Sequence, residues 1–214
     1  QANPMGALVD DVTGRDGITV RTATTVSKIT GQPGQFMTVL STPEGERQLV
    51  VGAIVQATGS RPYDAGRLAN LGYGESADVV TAPELESMLT AGSVARPSDG
   101  ATPGRIAFVQ CAGSRDVNHL PYCSGVCCLA SLKQALYVKS QVPDAEVTMF
   151  YIDRRTPGRN EDVLLEVAAT DGVRLVKGKV GRVEAVNGHL QLKVEDVESG
   201  RLLEETADLV VLAT

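Results

Sequence analysis

Four cysteines, Cys111, Cys123, Cys127 and Cys128, lie inside one 18-residue stretch, and the chain contains no others. Four thiolates within reach of one another can ligate zinc, hold an iron–sulfur cluster or supply a redox disulfide. The spacing, Cys-x₁₁-Cys-x₃-Cys-Cys, constrains each option. Structural zinc sites of four cysteines are usually built from two Cys-x₂₋₄-Cys knuckles, and this pattern is not that. An iron–sulfur cluster also takes four thiolates and tolerates irregular spacing. A disulfide between Cys123 and Cys127 leaves two cysteines without a role. Free cysteines are often merely small buried residues, yet random placement rarely packs all four together.

The elements that must position these thiols can be read from hydrophobic pattern. Arg105–Gln110 is a compact apolar strand. The apolar positions Val126, Leu129, Leu132, Leu136 and Val138 predict a helix from near Ser124 to about Gln141, ended by Pro143 and Asp144. A second buried strand, Glu146–Ile152, is followed by a helix over 161–170 and a strand over 173–177. Such β-α-β-α-β alternation predicts a parallel sheet with right-handed crossovers, the dinucleotide-binding (Rossmann-like) α/β architecture. Between the first strand and its helix that architecture places Gly-x-Gly-x-x-Gly; here the cysteines stand instead. Cys111 comes from the strand end. Cys123 and Cys127, four apart, are expected on one helix face with Cys128 about 100° round. A helix N-terminus there offsets negative charge.

An internal repeat brackets this unit. Residues 17–58 and 172–214 each begin with Gly and a short β-branched strand, continue as an alternating antiparallel meander, and end on an apolar strand closing in Ala-Thr. The stretches before each Gly, 6–13 and 162–169, are both helix-like. Residues 60–104 read as a connector with one helix from about Ala82 to Ala91. The expected organisation is therefore the tail of one nucleotide-binding domain (1–59), the connector (60–104) and a second α/β domain with an added meander (105–214). A chain opening on Gln1 and closing on Thr214 is expected to be a segment of a longer protein.

Composition narrows the partners. With 20 basic and 26 acidic residues the formal net charge is −6, and phosphate recognition needs clustered Lys and Arg. Nucleic acid is thus not an expected partner. Hydrophobic residues at 43% and charged residues at 21% are ordinary globular usage, and no apolar run reaches the length of a membrane span.

Two stretches carry family resemblances. Ala57-Thr58-Gly59-Ser60-Arg61-Pro62 resembles the Ala-Thr-Gly-x-x-Pro turn of the flavin-dependent disulfide-reductase-like superfamily. The likeness implies that Ala57, Thr58, Gly59, Ser60, Arg61 and Pro62 lie against bound FAD. Gln110-Cys-Ala-Gly-Ser-Arg-Asp116 with Pro121-Tyr-Cys-Ser-Gly-Val-Cys-Cys128 resembles the signature of the A subunit of heterodisulfide reductase and its relatives. Tyr73-Gly74, Phe150–Asp153 and Arg155–Gly158 fit the same pattern. The resemblance implies FAD, a [4Fe–4S] cluster held by Cys111, Cys123, Cys127 and Cys128, and electron transfer among flavin, clusters and partner subunits. No cysteine precedes Cys111. In that respect, and in Asn118–Tyr122, the chain looks closer to the A subunit of the quinone-interacting membrane-bound oxidoreductase. That likeness implies a cytoplasmic subunit, peripheral to the membrane through its partners.

Around the cysteines, Ser114, Arg115, His119 and Tyr122 are candidates to tune the site, with His119 read as a loop residue near the surface, Arg115 as offsetting cluster or flavin charge or equally bracing the loop on Asp116, and Tyr122 as packing around the site. Asp153, at the end of the second strand, occupies the place of a ribose-binding acid. The missing glycine fingerprint argues against NAD(P) there, and Arg154 and Arg155 suit a partner subunit equally well. His189 reads as structural. Two other classes stay open: an FAD-dependent pyridine nucleotide–disulfide oxidoreductase using a cysteine pair, and a zinc-stabilised interaction domain without catalysis. The segment by itself is expected to be inactive, with most of its FAD contacts upstream.

Overall fold

The computed structural model describes residues 4–214, and the chain divides into two compact units, Gln1–Ser60 and Arg61–Thr214. The first unit holds helix α1 (Pro4–Thr13) and a three-stranded antiparallel meander of β1 (Thr25–Gln32), β2 (Gln35–Thr42) and β3 (Gly45–Val51). Their pairing runs Thr30↔Met37 and Leu40↔Arg47. Thr38 is the one buried residue described in this unit; Met5, Leu8, Val9, Ile29, Met37 and Val50 are exposed. Residues 18–20 and 53–58, expected as strands, pair with nothing among the described residues. A strand exists only as part of a ladder, and the apolar pattern alone supplies no neighbour.

The second unit is built around one sheet in the order β4-β10-β5-β6-β7-β8-β9. Its parallel part comprises β4 (Val79–Thr81), β10 (Leu209–Leu212), β5 (Arg105–Val109), β6 (Glu146–Tyr151) and the first residues of β7 (Val173–Val186). Past Lys177, β7 leaves β6 and pairs antiparallel with β8 (His189–Asp196), which pairs with β9 (Arg201–Ala207). One long strand thus belongs to both the parallel sheet and the meander. The connector contributes more than one helix, because β4 forms the sheet edge against β10.

Alternation along the strands sorts side chains onto two faces. Ile106, Phe108, Val147, Met149, Leu209 and Val211 pack with α2 (Ala82–Ala91), α3 (Cys127–Gln141) and α4 (Glu161–Ala169). Ala107, Val109, Phe150, Val210 and Leu212 face the meander residues Val180, Val183, Leu190, Leu192 and Val194. The result is a layer of helices, a parallel sheet and a β layer. Helix α2 matches its expected span and starts with a strong signal: the Glu84 carboxylate accepts from the Thr81 N–H at 2.6 Å and from its hydroxyl at 2.7 Å, with Pro83 in the first turn.

Helix α3 begins at Cys127, three residues later than its apolar pattern suggests. Gly125 has φ 74°, a left-handed angle that breaks the helix, and Val126 is exposed. The buried stripe is instead Cys128, Ser131, Leu132, Ala135 and Val138. Cys123 therefore lies in the preceding loop, and the expected shared helix face with Cys127 does not form.

Candidate functional site

The four cysteines lie between the carboxyl end of β5 and the amino end of α3, the edge where open α/β sheets receive ligands. Hydrogen bonds at both ends shape the loop. Ser114 N–H donates to the Cys111 carbonyl at 3.1 Å, and Leu120 N–H donates to Gly113 O at 3.0 Å. Arg115 N–H donates to Tyr122 O at 3.0 Å and Asp116 N–H to Leu120 O at 3.0 Å. Cys111 and Arg115 both adopt left-handed angles, φ 59° and 57°. Side chains with a Cβ visit this region rarely, and such strain concentrates at functional sites.

The thiols are free, with Cys127 and Cys128 buried and Cys111 and Cys123 half-buried. They interact with one another. A hydrogen bond between the Cys127 and Cys128 sulfurs lowers the Cys127 pKa to about 6 against the opposing effect of burial; Ser124 and the Cys111 backbone add to the lowering. The same bond, with burial, pushes Cys128 up. Cys127 is thus the more acidic thiol of a vicinal pair. Burial and the neighbouring Cys127 raise Cys111, while Arg115 works the other way. Gly125 N–H points at the Cys123 sulfur at 3.3 Å, and Cys128 Sγ lies 3.6 Å from the Asp153 carbonyl oxygen.

The flanking candidates divide. Ser114 is buried in the loop. Arg115 does not brace Asp116: it donates to Asp153 Oδ2 at 2.7 Å and also reaches Cys111, while Asp116 pairs with Lys179 at 3.4 Å. Asp153, held by Arg115 and 3.8 Å from Arg155, has its carboxylate occupied in place of a free ribose acceptor. A cavity of about 890 Å³ beside it is lined by Tyr151, Asp153, Arg154, Arg155 and Lys177. Tyr122 is 61% exposed, so it does not pack around the site. His119 is half-buried and hydrogen-bonded through Nδ1 to the Tyr63 hydroxyl at 2.8 Å. Tyr63 carries no motif of its own; the only sequence hint is its place directly after Pro62. His189 bonds Asp208 at 3.1 Å at the start of β8, a structural position.

Ala57–Pro62 is exposed throughout, and among the described residues its one side-chain hydrogen bond runs from Gln56 to Thr58 at 3.5 Å. Gly59 has φ 71°, and a Cβ there would meet nothing within 4 Å. Glycine is required at this turn by the backbone angle, and the turn leaves open room beside it.

This fold and strand-end cysteine loop define the chain as an α/β protein with a Rossmann-like parallel sheet and an added antiparallel meander. Thioredoxin reductase from T. acidophilum shares the fold over 97% of this chain and 57% of its own, with a TM-score of 0.51 at 13% identity. No family model matches the chain. Among curated proteins, an iron-sulfur A subunit of the CoB–CoM heterodisulfide reductase of Methanopyrus kandleri is 40% identical over 179 residues, 78% of this chain. A protein of Archaeoglobus profundus described as like the heterodisulfide reductase A subunit is 36% identical over 199 residues. Over this span the chain belongs to the family of heterodisulfide reductase A subunits, and it covers about a quarter of those relatives' length (27% and 28%).

Proposed function

We propose that Cys111, Cys123, Cys127 and Cys128 hold a [4Fe–4S] cluster, and that the chain is part of a flavin- and iron–sulfur-dependent oxidoreductase subunit. The observation that carries this is the mutual interaction of four free thiols at a strand-to-helix turn, in a family one of whose members is named an iron-sulfur subunit. The donor set fits. Metal ligation needs thiolates, and hydrogen bonds already favour one at Cys127. When bound, the cluster accepts and returns single electrons. The protein holds the sulfurs, offsets their charge with Arg115 and backbone N–H groups, and keeps Cys127 and Cys128 away from solvent.

Two alternatives are disfavoured by particular features. The Cys-x₁₁-Cys-x₃-Cys-Cys spacing departs from the two Cys-x₂₋₄-Cys knuckles of a structural zinc site. That weighs against zinc. A redox disulfide between Cys123 and Cys127 leaves Cys111 and Cys128 without a role, although both interact with Cys127.

In the same reading, Ala57–Pro62 lies against FAD, residues 1–59 are the tail of an FAD domain, and 105–214 form an NAD-domain-like unit whose glycine loop has become a cluster loop. Partner subunits exchange electrons with this one, and the relative from M. kandleri acts in a CoB–CoM heterodisulfide reductase by name. The test is anaerobic reconstitution of the chain followed by metal analysis. Wild type is expected to bind about four irons and four sulfides, the complement of one such cluster. Each Cys→Ser variant is expected to lose most of the iron. Stoichiometric zinc in place of iron would overturn the assignment.

A further inference from the structure

We infer that Tyr63 is a positioning residue for the cysteine loop, fixing Cys111 relative to the helix-borne cysteines through His119. For its effect on a cluster, this rests on the reading of the cysteines as ligands. The tyrosine grips the loop at two points. Its hydroxyl is bonded to His119 Nδ1 at 2.8 Å, with the two rings edge to face at 5.6 Å. Its ring also lies where a Cβ on Gly113 would be, so the loop closes onto it because residue 113 has no side chain. Gly113 and His119 sit on opposite arms of the loop, joined by the Leu120–Gly113 bond.

Tyr63 itself is firmly mounted. Asp64 accepts from Gly66 N–H at 3.0 Å at the head of a short helical turn, Ala65 and Leu68 of that turn are buried in the core, and the Arg67 guanidinium covers the ring at 5.5 Å. Beneath the loop the support is weaker. A cavity of about 50 Å³ is lined by Gln110, Cys111, Gly113, Asp116, His119 and Lys179, and the buried side-chain amide of Gln110 makes no hydrogen bond among the described residues. Ala112 anchors the strand end of the loop in the core, and the grip from Tyr63 on Gly113 and His119 holds the part beyond it over this cavity. Cys111 stands at the root of this loop in a left-handed backbone angle, φ 59°.

The test is differential alkylation of the full chain, reduced and without metal, read by mass spectrometry with Cys128 as internal reference. Tyr63→Phe keeps the ring and removes the bond to His119. It should raise the Cys111-to-Cys128 rate ratio about fivefold, the effect of one ordinary hydrogen bond on a local opening equilibrium. His119→Phe should give the same rise, the double variant no more, and His119→Gln, which keeps an acceptor, a ratio near wild type. An unchanged ratio in Tyr63→Phe, or additive effects in the double variant, overturns the inference. In iron-loaded protein Tyr63→Phe should keep its iron content and shift the midpoint potential; an unshifted potential overturns the link to the cluster. If wild type takes up no iron, the cluster reading fails while the alkylation ratio still decides the role of Tyr63.

Discussion

Gly113 shows how tightly single residues constrain this site. Its φ of 80° and the Tyr63 ring over its α-carbon both exclude a side chain. Gly113→Ala is expected to cost about 1–3 kcal/mol through backbone strain and to loosen the loop, measured as a lowered unfolding midpoint together with faster alkylation of Cys111. Arg115→Gln should behave differently. Its ion pair with Asp153 is partly exposed, 26% and 48%, so chemical denaturation should register less than about 1 kcal/mol. Iron incorporation should nevertheless slow, because the guanidinium that favours the Cys111 thiolate is gone. At this scale the cysteines and the turn glycine are legible in the sequence because their types and spacing are unusual. Tyr63 is not, since its partner His119 lies 56 residues away and nothing local marks the pair. The departure of Cys123 from its expected helix has an equally local cause, the left-handed Gly125.

Among the elements, those that bury a face are readable and those that need a remote partner are not. Helix α2 announces itself through Thr81, Pro83 and Glu84, and β5 and β6 through short apolar runs. The long β7 reads as a shorter strand because its second half pairs with a different neighbour and alternates for a different face. The two repeats also diverge: β10 finds β4 and β5, whereas 53–58 pairs with nothing described. A three-stranded meander with its apolar residues exposed has little to hold it closed. Native-state hydrogen exchange is thus expected to show the β1–β3 amides opening well below the global free energy, with β5, β6 and β10 exchanging only on global unfolding. Equal protection in the two sets would contradict this.

Across the whole second unit, stability depends on the two faces of one sheet and on one buried ion pair. Asp78 accepts from Arg96 Nη2 at 2.9 Å, from Ser98 N–H at 3.0 Å and from the Ser98 hydroxyl at 2.7 Å, with its side chain 7% exposed. Burial alone would raise its pKa, but the bonds from Ser98 and Arg96 outweigh it and the pKa is lowered. A folded pKa below the unfolded value near 3.9 means the stabilisation is full above about pH 4 and is lost as pH falls through the folded value. Asp78→Asn should cost about 1–3 kcal/mol at neutral pH through the loss of charge-assisted hydrogen bonds, with Asp99 remaining as a partner of Arg96, and the gap to wild type should close in denaturation series below pH 4. The central claim concerns the four cysteines, and low-temperature EPR of the anaerobically reconstituted, reduced chain tests it most directly. A paramagnetic iron–sulfur signal that disappears in each of the four Cys→Ser variants is the predicted result. A folded, iron-free chain with two thiols titrating as a disulfide pair would contradict it.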